Sequence, residues 1–283
     1  MRLNNPYFIN EPAAISFSGG RTSAYMLYKI LEAHDGKLPD DLKVTFANTG
    51  KEMPETLDFV QACSDHWGVD IVWVEAEIRK GGEDENKYVY ETKIVTHETA
   101  SRDGKPFAQM ISARNYLPNP VARFCTADLK VRRIVDYLES QGLPRDTLNL
   151  IGIRADEPRR AIKMHNKISE GHPCWCPLYA DGKTKDDIHE FWEESNFDLE
   201  LPNNRGVTDW GNCDLCFLKG GKKRQAIIRE RPDLADWWIE QEDKVGGTFR
   251  KDQPSYEQMK VIATDQGQLF DFDDESIPCF CGD

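Results

Sequence analysis

Short apolar runs at Ala13–Ile15, Leu42–Ala47 and Val69–Val74 alternate with longer stretches at Ala24–Leu31 and from Pro54 to about Trp67. The runs have the length and β-branched content of buried strands, and the stretches have helical spacing. Pro54 suits a first helical turn, where its missing N–H costs nothing. Three strands alternating with two helices predict an α/β fold with a doubly wound, mostly parallel sheet. Leu148–Ile153 reads as a further buried strand. Residues 126–141 read as one amphipathic helix, with Leu129, Ile134, Val135 and Leu138 apolar and Lys130, Arg132 and Arg133 polar. Residues 183–195 and 222–245 are expected to be mainly helical.

Residues 75–105 are less regular. Tyr88–Thr96 has strand composition between the polar loop Gly81–Asn86 and the turn Asp103-Gly104-Lys105. We expect an inserted hairpin lying over the site. The expected organisation is an α/β domain over 1–165, a helical, cysteine-bearing region over 166–264, and a mobile acidic tail over 265–283 that ends Cys-Phe-Cys-Gly-Asp.

The first strand runs into Ser16-Phe17-Ser18-Gly19-Gly20-Arg21-Thr22-Ser23 and then a helix. A Gly-Gly turn lets the main chain approach an anion. The unpaired N–H groups and positive dipole end of the helix then face it. Ser18, Thr22 and Ser23 add hydroxyl donors and Arg21 adds charge. The spacing is neither that of the Walker A loop nor that of the dinucleotide fingerprint. In doubly wound sheets ligands bind beyond the carboxyl ends of the strands. That rule sets Asn48-Thr49-Gly50-Lys51-Glu52, after the second strand, beside the Gly-Gly turn.

Composition narrows the picture further. The chain has 283 residues and a formal net charge of -13, so a broad basic nucleic-acid surface is not the default expectation. No apolar run approaches a membrane span of about 20 residues. The first residues have no signal-peptide core, so we expect a cytoplasmic protein. Six of the eight cysteines sit in close pairs, Cys174/Cys176, Cys213/Cys216 and Cys279/Cys281. In a reducing compartment such pairing favours metal binding or redox chemistry over disulfides.

Four further clusters carry candidate chemistry. Arg123-Phe124-Cys125-Thr126 through Lys130 gathers an arginine, a thiol and a lysine at a helix start that Thr126 could cap. A thiol there would ionise more readily, or it could be a buried cysteine beside a solvated basic helix. Gly152 to Arg160 follows a strand end, so Arg154, Arg159 and Arg160 could hold an anion and Asp156 or Glu157 a magnesium ion. The alternative there is a salt-bridged surface turn. Cys213-Asp214-Leu215-Cys216 can serve one metal centre or a redox pair. With Cys125 as third ligand it suits a [4Fe–4S] cluster, with structural zinc as the competitor. Cys279 and Cys281 could swing into the site as nucleophile or persulfide carrier, or supply a ligand. Cys174 and Cys176 could join the same centre or simply pack beside Trp175. Cys63 and Trp237-Trp238 read as packing, and the six histidines show no metal spacing.

Together Ser18–Ser23, Asn48–Glu52 with Pro54-Glu55-Thr56, Arg123-Phe124-Cys125, Gly152-Ile153-Arg154 and Cys213–Cys216 resemble the phosphoadenosine phosphosulfate (PAPS) reductase family of the PP-loop superfamily. The resemblance is strongest to its phage and prophage members and covers roughly residues 13–225. It implies an adenine nucleotide, ATP or the sulfonucleotides PAPS and adenylylsulfate, held with magnesium at Ser18–Ser23, Asn48, Thr49, Gly50, Glu52, Arg123 and Arg160. It implies sulfur chemistry served by Arg154, Lys130, Cys279 and Cys281, and a cluster on Cys125, Cys213 and Cys216 whose fourth ligand is open among Cys174, Cys176, Cys279 and Cys281. PAPS reductases proper carry an altered loop and a Glu-Cys-Gly-Leu-His tail, whereas this loop is complete and the tail differs. A complete loop implies cleavage of ATP to AMP and pyrophosphate, as in enzymes that adenylate a substrate before sulfur insertion. Expected partners are a sulfur-donor protein or thioredoxin-like reductant, with tRNA or DNA as an acceptor that no motif here supports. The rival readings are reduction of a sulfonucleotide to sulfite by a tail cysteine, and a zinc-stabilised nucleotide-binding module without sulfur chemistry.

Overall fold

The computed structural model describes residues 5–81, 87–168, 173–264 and 277. The chain runs β1 (Ala13–Phe17), α1 (Arg21–Ala33), β2 (Leu42–Asn48), α2 (Pro54–Trp67), β3 (Ile71–Lys80) and β4 (Tyr88–Val95). It continues with α3 (Lys105–Arg114), a π-helical segment (Thr126–Val131), α4 (Arg132–Ser140), β5 (Leu148–Ile151), α5 (Pro158–Ile168) and β6 (Cys174–Trp175). The helices α6 (Pro177–Ala180), α7 (Lys185–Glu193), α8 (Gly221–Glu230), α9 (Leu234–Val245) and α10 (Tyr256–Thr264) complete it.

The strands form one sheet in the order β4-β3-β2-β1-β5-β6, parallel throughout except for β4. The α/β class and the mostly parallel sheet expected from the apolar runs are therefore observed. The chain builds outward from β1 through β2 to β3, then returns to add β5 on the other side of β1. The sheet's direction switches there, which opens a crevice at the carboxyl end of β1. Parallel strands covered on both faces are buried along their length. β1 fits this, with Ala13, Ala14, Ile15 and Phe17 all at or below 3% exposure.

Two expectations need correction. The 75–105 segment is a hairpin, but it extends the sheet edge instead of lying over the crevice, because β3 runs on to Lys80 and pairs antiparallel with β4. Only its far end approaches the chemistry, where Gly104 N–H donates to Gly50 O at 2.8 Å. The helix expected over 126–141 opens with the π-helical turn, and Thr126 is not its cap. Residues 222–245 are mainly helical as expected, in two helices, α8 and α9, separated around Pro232. The sequence reading sets no helix at α3 or α5. Apart from Ile277, the acidic tail, including Cys279 and Cys281, lies outside the described residues.

The largest hydrophobic cluster draws on both halves of the chain, from Tyr7 to Ala263. Trp238 is fully buried against Phe107, Phe249 and Tyr256, so the tryptophan pair packs as expected. Cys63 is buried in the same cluster, also as expected.

Candidate functional site

The turn after β1 is shaped by Gly19, whose φ of +81° only glycine adopts without strain. A Cβ there would stand 2.7 Å from Thr56 Cγ2. Gly20 then enters α1 with extended backbone and no side-chain cap. Ser23 Oγ accepts from Ser18 N–H at 3.1 Å and donates to Gly20 O at 2.9 Å, which pins the turn from inside. Gly152, after β5, packs within 3.2 Å of Ser23 Cα for the position its Cβ would take. A larger residue would push the end of β5 away from the start of α1.

A cavity of about 180 Å³ opens over this turn. Five helices start on its wall, contributing Thr22 of α1, Thr56 of α2, Glu157 just before α5, Lys185 of α7 and Lys223 of α8. Helix starts carry N–H groups without intrahelical partners and partial positive charge, which suits an anionic ligand. Two buried polar atoms on the wall, Arg21 Nη1 and Thr56 Oγ1, have no hydrogen-bond partner among the described residues.

The cations are arranged differently from the expectation. Arg21 is 4% exposed and turns back into the protein, where it forms a two-point bridge to Asp198, Nε to Oδ1 at 2.6 Å and Nη2 to Oδ2 at 2.8 Å. It ties the turn to the chain after α7, and Trp192 of α7 donates to Arg21 O. Arg154 reaches the cavity, with Nη1 donating to Thr22 Oγ1 at 3.2 Å and Nε to Asp156 Oδ1 at 2.9 Å. Glu157 pairs with Arg160, so the Gly152–Arg160 segment is the salt-bridged turn and also part of the cavity wall. Arg160 and Arg123 line neither cavity; Arg123 Nε donates to Pro120 O instead. Lys185 and Arg205 on the wall went unread in the sequence, because no motif surrounds them, while Lys223 belongs to the run of cations that follows Cys216. Only Thr184-x-x-Asp187, a capping box, announced that a helix starts at Lys185.

The second expected edge segment, Asn48–Glu52, leads away from the phosphate turn and into a sulfur-lined cavity. Gly50 has a φ of +80° and lies against Gly104. Asn48 Nδ2 donates to Glu75 Oε1 and to Ser101 O, which locks the strand end to the chain after β4. Burial pushes the Glu75 carboxyl above its ordinary range, opposed by the donors Asn48 and Ser101. Thr49 donates both its N–H and its hydroxyl to Glu52. Glu52 bridges to Cys213 in a short antiparallel contact, and Asp214 N–H donates to Lys51 O at 2.7 Å. Lys51 Nζ meets Asp214 Oδ2 at 2.8 Å with both side chains under 10% exposed, and Trp238 Nε1 donates to Asp214 Oδ1.

Cys125, Cys213 and Cys216 face one small cavity, which Thr49, Lys130 and Trp238 also line. Among the described residues no carboxylate lines it. Lys130 Nζ stands 3.5 Å from Glu52 Oε1. Burial, then Glu52, pushes the Cys213 thiol well above its ordinary range, and Lys130 opposes this. The three thiols fit a thiophilic centre in kind, yet among the described residues no three His, Cys, Asp or Glu side chains are gathered closely enough to hold a metal ion. Cys174 and Cys176 line neither cavity; they pack on a separate cluster with Ile151, Ile153, Ala161 and Met164, where burial pushes the Cys176 thiol up to about 12. Asn212, in a left-handed conformation at φ +60°, lines both cavities, a role the sequence does not assign to it. Its place before Cys213, after Gly211, was the available signal.

A glycine-turned loop between a central strand and its helix, at the switch point of a parallel sheet, defines a PP-loop type of α/β protein. The chain belongs to the phosphoadenosine phosphosulfate reductase domain family, whose model matches residues 12–197. It is similar to the uncharacterized nin region protein ORF290 of Escherichia phage lambda, 30% identical over 226 residues that cover 78% of this chain and 70% of that protein. An uncharacterized protein of Methanocaldococcus jannaschii is also 30% identical over 156 residues, which cover 55% of this chain and 25% of that protein. Among the described residues, no helix is long and apolar enough to cross a membrane.

Proposed function

We propose that the chain binds an adenine nucleotide, ATP or a sulfonucleotide, with its phosphates in the cavity over Ser18–Ser23, and uses it for sulfur transfer or activation. The observation that carries this reading is the meeting of five helix starts and two unpartnered buried polar atoms on one cavity wall. Such a wall suits a ligand with several anionic oxygens. The family supplies the adenine nucleotide and the sulfur chemistry. ATP is favoured by the complete loop, with both glycines and the closing Ser23. AMP would pass to an acceptor oxygen and pyrophosphate would leave from the loop. Arg154, already bonded to Thr22, is placed to neutralise charge developing on the departing oxygens. Lys185, Arg205 and Lys223 would hold the remaining anionic groups. A magnesium ion would draw on Glu157, which lines the cavity, and Asp156 beside it. A [4Fe–4S] or zinc centre would be held by Cys125, Cys213 and Cys216, and a cluster would supply a site for binding sulfur. Cys279 or Cys281 is the group we assign to sulfur delivery.

The test is incubation of anaerobically prepared protein with ATP and, separately, with PAPS. Pyrophosphate released from ATP is the expected result. Sulfite released from PAPS, with ATP untouched, would replace this reading with sulfonucleotide reduction. Neither product, in a colourless protein holding one zinc per chain, would leave the nucleotide-binding module.

A further inference from the structure

Strand β4 closes one side of the sheet and pairs only with β3 among the described residues. None of its eight residues is buried, and Ile94 is 64% exposed. The direction of its main-chain groups follows from β3. Ile78 N–H donates to Gln109 Oε1 of α3, away from β4, and Ile78 stands opposite Tyr90. In an antiparallel pair, positions whose groups turn away from the partner strand alternate with positions that bond to it. Tyr90, and with it Thr92 and Ile94, therefore direct N–H and C=O outward. An edge of that kind is a template for another strand.

We infer that the strand it takes is β4 of a second copy of this chain, antiparallel about a two-fold axis at Thr92. The charge order along β4 selects both the partner and the register. With the axis at Thr92, Glu91 lies opposite Lys93 of the second copy, and Lys93 opposite its Glu91. Val89 then meets Val95, and Tyr90 meets Ile94. Moving the axis one residue either way sets Glu91 against Glu91 or Lys93 against Lys93, and like charges directly opposite one another destabilise a pair. At the Thr92 register the outward-pointing residues make the hydrogen bonds. The Glu91–Lys93 pairs fall at the intervening positions, where facing side chains come closest. Within the chain Glu91 already meets Arg79, and Lys93 meets Glu77 at 2.6 Å. Joining two edges would run these into one row of alternating charge. Thr92 Oγ1 is held by Asp136 and Arg133 of α4, which fixes the face of the strand and leaves its main-chain edge open. β3 and β2 separate this edge from β1, so the join leaves the phosphate cavity uncovered.

Light scattering on the full chain reads the state directly. The expected mass is twice the 32.4 kDa of one chain. Glu91→Lys sets like charges opposite at two places and is expected to weaken the dimer about tenfold, with ATP binding unchanged. The exchange Glu91→Lys with Lys93→Glu restores the pairing between copies and is expected to restore the dimer. Inside each chain the exchange trades partners: a cation at position 91 stands directly opposite Glu77 and diagonal to Arg79, and a carboxylate at position 93 stands opposite Glu75 and diagonal to Glu77. The restored mass, read against that of the single substitution, reports the pairing between copies. A wild-type monomer at high concentration, or a dimer that the single substitution leaves intact, overturns the inference.

Discussion

The phosphate cavity and the thiol cavity meet at Asn212, yet they are built from different materials. The first is made by the main chain, from the Gly19 turn, the helix starts and the strand ends at Ser18 and Gly152. Its charged side chains are largely braced against one another or against the fold, as Arg21 is by Asp198. The second is made by buried side chains, with Lys51, Asp214, Trp238, Thr49 and Glu52 zipping one strand end to the Cys213–Cys216 turn. A main-chain cradle can hold many phosphates without the cost of burying charged side chains. A cavity walled by a buried ion pair is rigid, but removing one partner leaves the other charge stranded. The two cavities should therefore fail in different ways.

The largest effect is expected at Gly19. Valine there would need a left-handed backbone and would drive its Cβ to within 2.7 Å of Thr56 Cγ2. Strain and overlap together come to about 4 kcal/mol. The turn escapes by moving, so nucleotide affinity should fall by about 1,000-fold while the urea midpoint shifts little. Titration of the variant with ATP reads this. Unchanged affinity would remove the turn from the binding site.

The opposite signature is expected at Asp214. Asparagine keeps the shape and still accepts from Trp238, but it strands the Lys51 ammonium at under 10% exposure. The cost is about 3 kcal/mol, seen as a lower urea midpoint with an unchanged slope. Nucleotide affinity should stay near the wild-type value, because neither residue lines the phosphate cavity. Loss of ATP binding at unchanged stability would show that the two cavities are not built independently.

How much of this was legible in the chain follows the same division. The sheet, the Gly-Gly turn and the Cys213–Cys216 pair could be read because local sequence dictates them, while Cys125 was joined to that pair only by ligand chemistry and the family resemblance. Apolar runs, a Gly-Gly turn and a C-x-x-C spacing act over a few residues. The place of Lys185, Arg205 and Lys223 on the cavity wall could not be read, because only the packing of α7, α8 and the chain between them brings them there. Arg21 was legible only in part, for the same reason. Its neighbours in sequence suggest a phosphate ligand, while its partner Asp198 lies 177 residues away. The placement of the 75–105 hairpin was decided by strand pairing with β3, which composition does not encode.

The smallest effect is expected on the outer support of the thiol cavity. Tyr256 is buried, and its hydroxyl donates to Leu215 O, between Cys213 and Cys216. Phenylalanine would keep the ring and leave that carbonyl without its donor, at a cost of about 1 kcal/mol. The hydroxyl also gives a pH signature. Burial raises its pKa above the ordinary value, with Arg224 opposing, so the folded state holds the proton more tightly than the unfolded chain does. A group of this kind contributes fully below the unfolded value near pH 10 and loses its contribution as the pH rises towards the folded one. The stability difference between wild type and Tyr256→Phe, followed by urea unfolding, should therefore be constant from pH 7 to about pH 9.5 and shrink above it. A difference that held steady into strong alkali would mean that Tyr256 ionises equally in both states, and the support it gives the thiol cavity would then rest on the ring alone.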